Sequence, residues 1–139
     1  MGPWVASPLR ERGYRGDNSI ESLLYSLATG DRKSREELDL TAERIFTLHR
    51  ALTIRGMGTR DMRTQHDTIP DWVFDGDASK PAFSPGTIRM DRNDMNTAMD
   101  MFYGELGWDR RTGAPTHEAY RRLGLEPVAR ELKKRDLAA

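Results

Sequence analysis

The sequence predicts an all-α, multihelical fold of about five helices, with one long irregular segment near residues 57–90. Three observations predict it. Capping residues stand just ahead of apolar residues that recur every three or four positions. Glycines follow those runs where helices would stop. No run of alternating β-branched residues flanks a hairpin turn, so strands have no signal.

The first helix is expected in "DNSIESLLYSLATG", where Asn18 and Glu21 have capping-box spacing and Gly30 supplies the stop. Its apolar stripe is Ile20, Leu23, Leu24 and Leu27. The second, the strongest, opens at Ser34 with Glu37 at the same spacing and closes at Gly56. Leu38, Ala42, Ile45, Leu48 and Leu52 form one apolar stripe, with Phe46 beside it. A third helix starts at Asp91, carries Asp94 in its first turn and ends at Gly107. Met95, Met99, Phe102 and Leu106 are its predicted inward face. Thr116 then caps a short helix ended by Gly124, and Pro127 falls in the first turn of the last one.

Between Met57 and Met90 the periodicity lapses, and Pro70, Pro81 and Pro85 interrupt the chain. Loops beyond about 12–15 residues are uncommon in a compact domain unless they are functional or disordered. Ile69, Trp72, Val73, Phe74 and Phe83 argue against plain disorder, since large apolar side chains need a surface to lie on. The chain's 139 residues suit one helical domain, 1–139, with 57–90 as an extended loop within it. Hydrophobic residues make up 37% and charged residues 32%, with a mean hydropathy of −0.75. The core is therefore expected to be thin, as in one layer of a larger protein.

Charge and cysteine count exclude several function classes. Twenty-two basic and 22 acidic residues cancel, and the only basic run, "ARELKKRDLAA", is broken by Glu131 and Asp136. That pattern argues against a nucleic-acid partner. No cysteine is present, which removes disulfides, thiolate zinc sites and self-contained iron–sulfur ligation. No apolar run suits a signal peptide or a membrane span, so no membrane association and a cytoplasmic location are expected.

The candidate chemistry is sparse. His49, His66 and His117 are too scattered for a local metal motif. His66 and Asp67, adjacent in an irregular segment, are the weak catalytic candidates, because a carboxylate can orient an imidazole for general-base work. Neighbours on an extended chain point opposite ways, however, so the pair need not meet. Arg60 or Arg63 would serve as an anion clamp for such a site. "DGDASK" lacks the later ligands of a calcium loop, and no phosphate-binding, nucleophile-elbow or zinc-protease motif occurs. The methionines on and beside the third helix read as core filling. No catalytic, cofactor-binding or metal-ligating residue is assigned from the residues alone.

Three stretches in order, "ERIFTLHRALTIRGMGTRDMRTQHDTIPDWVF", "MFYGELGWDRRTGAPT" and "YRRLGLEPVARELK", resemble the carboxy-terminal end of the aldehyde ferredoxin oxidoreductase family. The resemblance rests on an ER-I-x-x-L-x-R helix (Glu43 to Arg50), an Arg-rich loop ending in a D-x-L-P-like signature (Asp67 to Pro70), and a tyrosine-rich helix running into G-W-D (Phe102 to Asp109). A T-G-x-P-T turn (Thr112 to Thr116) and L-G-L (Leu123 to Leu125) complete it. It implies a tungsten or molybdenum bis-pterin held by dithiolenes and a [4Fe–4S] cluster held by four cysteines in the complete enzyme. One such cysteine belongs to a D-x-x-G-x-C-like motif upstream of the helix ending "LATG". Here Asp17 is followed by "NSIES", so the chain is expected to begin just after the cluster ligand and to hold no cofactor itself. The family often has a basic residue soon after the L-P pair, where this chain has Asp71 and Trp72, which leaves the substrate open. The implied activity is oxidation of an aldehyde to an acid with electrons passed to a ferredoxin-type acceptor. The implied partner is the remainder of the oxidoreductase or a partner subunit. The alternative is a stand-alone helical protein-interaction module.

Overall fold

The computed structural model describes residues 20–75 and 91–138. The described residues form seven helices and no sheet: α1 (Ile20–Thr29), α2 (Arg35–Met57), α3 (Met62–Gln65), α4 (Trp72–Asp75), α5 (Arg92–Glu105), α6 (His117–Arg122) and α7 (Glu126–Lys133). The fold is all-α, as expected. The Asn18 cap, Phe83 and the rest of 76–90 lie outside the described residues.

The chain divides into two compact units, Met1–Glu43 and Arg44–Ala139, with the division inside α2. In the first unit the capping box of α2 forms in full. Glu37 N–H donates to Ser34 Oγ (3.2 Å), and Ser34 N–H donates to a Glu37 carboxylate oxygen (2.7 Å). α1 has no buried residue, and Leu23, Leu24 and Leu27 of its apolar stripe are exposed.

In the second unit, caps predicted from sequence set the helix starts. The Asp91 carboxylate accepts from the N–H groups of Asn93 and Asp94, and Thr116 Oγ1 accepts from Ala119 N–H. α2 runs past Gly56 to Met57. The segment expected to be irregular contains two short helices in its described part, α3 and α4. α3 is capped by Asp61, and Met62 is fully buried in the core, so this stretch is woven into the unit.

The main core gathers Ala51 and Ile54 of α2, Met62, Ala114, and Tyr120, Leu123, Leu125, Ala129 and Leu132 from α6 and α7. A second cluster joins Tyr103, Trp108 and Ala119, with Met99 and Leu106 packed against it. The buried face of α2 is thus not its apolar stripe. Thr47, Arg50, Ala51 and Ile54 are buried, while Ile45, Phe46, Leu48 and Leu52 are exposed. On α5, Tyr103 is the buried residue, Met95, Met99 and Leu106 are half-buried, and Phe102 at the stripe's edge is exposed.

α5 ends as Gly107 turns left-handed at φ +68°, which lets Trp108 N–H return to the Tyr103 carbonyl at 2.8 Å. The following turn is held by Asp109, whose Oδ1 accepts from Thr112 N–H (2.8 Å) and Thr112 Oγ1 (3.0 Å). Gly113 closes it at φ +70°, under the Tyr103 hydroxyl: a Cβ there would lie 2.9 Å from that oxygen. Gly113→Ala is expected to destabilise the chain by about 2–3 kcal/mol, combining left-handed strain with displacement of a tethered phenol. Gly107→Ala meets only an ordinary 3.6 Å contact and should cost about 1–2 kcal/mol. Urea denaturation of both variants checks the order.

Candidate functional site

Three side chains of the second unit converge on the carboxylate of Asp67. Arg50 comes from the buried face of α2, Asp67 from the exit of α3, and Tyr103 from the buried face of α5. His66, the C-cap residue of α3, precedes Asp67. Arg50 forms a fork on Asp67, Nη1 to Oδ1 at 2.9 Å and Nη2 to Oδ2 at 2.9 Å. The Tyr103 hydroxyl donates to Oδ2 at 2.6 Å, and His66 Nδ1 lies 2.7 Å from Oδ1. A carboxylate only accepts, so Nδ1 carries the proton in this contact. The neighbours meet because the chain at His66 (φ −129°, ψ −49°) is leaving a helix rather than running extended.

The carboxylate is thereby filled. Each oxygen takes two donors, which uses about four lone-pair sites. Burial works to raise the Asp67 pKa, but the hydrogen bonds from Arg50, Tyr103 and His66 outweigh it and hold the group below the ordinary aspartate range. Burial, with the hydrogen bond to Asp67 added, pushes the Tyr103 phenol far above its usual range. Such an Asp67 is a fixed anion that joins three helices, and it has no lone pair left to accept a substrate's proton.

The proposed clamp arginines are also engaged. Arg63 Nη1 donates to Asp100 Oδ1 (2.5 Å) and to the Arg110 carbonyl (2.6 Å), and Nη2 reaches Asn96 Oδ1 (3.3 Å). Arg60 donates to the Ala138 carbonyl (3.0 Å) and does not join the cluster. His49 and His117 are exposed and belong to other helices. An open cleft of about 310 Å³ borders the node, lined by Asp67, Ile69, Phe74, Arg92, Met95 and Met99 among others. His66, which is exposed, does not line this cleft.

Trp108 closes the other side. Arg50 Cζ sits 4.7 Å from the Trp108 ring centroid, and Phe46 stacks on that ring at 5.5 Å. Arg63 N–H donates to the Thr112 carbonyl at 2.9 Å, tying α3 to the turn. Sequence reasoning missed Arg50 and Tyr103 as partners of Asp67. The available signal was an arginine set between Leu48 and Ala51 on an apolar helix, where a charge needs a mate.

Arg50, Asp67, Tyr103, Trp108 and the Thr112–Thr116 turn are among the residues that carry the sequence resemblance, and here they form one connected structure. Residues 4–125 match the family model described as aldehyde ferredoxin oxidoreductase, domains 2 and 3. The chain belongs to the aldehyde ferredoxin oxidoreductase family. No solved structure gives a significant match.

The family's iron–sulfur cluster does not fit this family member's residues, because a [4Fe–4S] cluster is held by cysteine thiolates and the chain has no cysteine. Among the described residues, no group of three or more His, Cys, Asp or Glu could hold a metal ion. No described helix is long and apolar enough to cross a membrane.

Proposed function

We propose that this chain serves as the carboxy-terminal helical segment of an aldehyde ferredoxin oxidoreductase-like enzyme and contributes packing rather than cofactor ligands. In the complete enzyme an aldehyde and water give a carboxylic acid, two protons and two electrons, and a ferredoxin-type acceptor or partner subunit takes the electrons. The bis-pterin metal and the cluster are held by the remainder of the oxidoreductase. The observation that carries this reading is the family match over residues 4–125. The absence of cysteine supports the division of labour, since thiolates for a cluster have to come from elsewhere. The filled Asp67 carboxylate supports it too, because the best acid–base candidate is committed to structure.

Elemental analysis of the purified chain tests the proposal. The expected result is no stoichiometric tungsten, molybdenum or iron and no dye-linked aldehyde oxidation. Stoichiometric metal, or turnover of an aldehyde series that is lost in Asp67→Asn, would overturn it.

A further inference from the structure

In the second unit, helix α2 has a buried face and a separate apolar stripe that the described residues leave exposed. Thr47, Arg50, Ala51 and Ile54 point into the core. Ile45, Leu48 and Leu52 follow at spacings of three and four, and are 63%, 37% and 46% exposed. At about 100° per residue, this stripe lies roughly 130–140° around the helix from the centre of the buried face. A second apolar stripe so displaced is the pattern of a helix between two layers.

The charge around the stripe is one-sided. From Arg44 to Arg60 the sequence "RIFTLHRALTIRGMGTR" contains no acidic residue. Arg50 is turned inward to Asp67. Arg44 and Arg55 lie along one edge of the outward stripe by helical position, are exposed, and make no ion pair among the described residues. An apolar centre with a cationic margin selects a surface of complementary pattern, apolar in the middle and acidic at one edge. An antiparallel contact between two copies of this face is disfavoured, because it would bring the two arginine edges together.

We propose that the Ile45–Leu48–Leu52 stripe, with Arg44 and Arg55, is the docking surface for an acid-edged apolar helix of the remainder of the oxidoreductase. This deepens the proposed function and rests on it. Exposure of all three apolar residues means that charged replacements leave the isolated fold intact, so binding and folding can be separated.

The test immobilises the full chain and uses as probe a family oxidoreductase polypeptide truncated before the region equivalent to residues 4–125, whose cooperative melting and bound metal are verified before binding is measured. Wild type is expected to bind, with affinity falling as salt rises. Leu48→Glu with Leu52→Glu should weaken binding by about 100-fold while circular dichroism and melting stay at wild-type values. Arg44→Glu with Arg55→Glu should weaken it by about tenfold and flatten the salt dependence. Undiminished binding by the leucine variant overturns the surface assignment and leaves the proposed function standing. Failure of wild type to bind overturns the proposed function itself. Dimerisation or binding to anionic vesicles that the leucine variant abolishes would assign the face to a second copy or to a membrane, and would overturn the proposal.

Discussion

Asp67→Ala is expected to lower the stability of the folded chain by about 3 kcal/mol or more. The Arg50 side chain is only 9% exposed, and removing its carboxylate leaves a buried guanidinium without its counter-charge. Tyr103, 1% exposed, loses the acceptor for its hydroxyl at the same moment. Asp67 itself is 18% exposed, which places the cost toward the low end of the range for broken buried pairs. Arg50→Met should be milder, because it removes the stranded charge and refills much of the volume. The same node fixes the pH response. The folded pKa of Asp67 lies below its unfolded value, so its contribution is complete above the ordinary aspartate range and is lost as pH falls through the depressed folded value. Tyr103 acts at the other limb: its folded pKa is raised, so its contribution is complete below about 10 and declines as pH climbs beyond it. Urea midpoints measured from pH 2 to 6 should fall steeply with acid for wild type and more gently for Asp67→Ala. Parallel curves would show that Asp67 is not a stabilising anion.

The helices were legible in the sequence because their starts are local chemistry. Ser34 with Glu37, Asp91 with the N–H groups of Asn93 and Asp94, and Thr116 with Ala119 all fall within four residues and form as read. The faces were not legible, because spacing reports that a stripe is apolar and not which surface covers it. α2 shows this directly: its bulkiest stripe is outward, and the smaller residues Thr47 and Ala51 pack inward. The short helices α3 and α4 escaped periodicity because four residues span barely one turn. α3 is fixed instead by its Asp61 cap and by the burial of Met62. The carboxylate node is non-local, with Asp67 lying 17 residues from Arg50 and 36 from Tyr103. His66 and Asp67 could be named from sequence, but the donors that take up the carboxylate could only be seen once α2 and α5 were in place.

Trp108→Ala should cost about 3–5 kcal/mol, the other large effect expected of a single substitution. The ring is 3% exposed and is contacted from several directions at once. Phe46 stacks on it at 5.5 Å, Phe102 meets it edge-on at 6.0 Å, Tyr103 lies 6.3 Å away, and the Arg50 guanidinium caps it at 4.7 Å. Truncation therefore opens a cavity against Met99 and Leu106, and it also strips the aromatic face from the arginine that holds Asp67. Against a total stability of about 5–15 kcal/mol for an ordinary domain, that loss would leave the fold marginal. Trp108→Phe separates the two contributions. It keeps a ring for Phe46 and Arg50, and it removes the indole N–H, which is buried without a partner among the described residues. Its cost should be less than half that of alanine, with the arginine contact largely kept. Thermal melts of the two variants, run beside Asp67→Ala and the Asp67–Trp108 double mutant, give the coupling through Arg50. Since both single changes release the same guanidinium, the double mutant should lose at least about 0.5 kcal/mol less than the sum of the singles. Strict additivity would show that Trp108 packs independently of the carboxylate node.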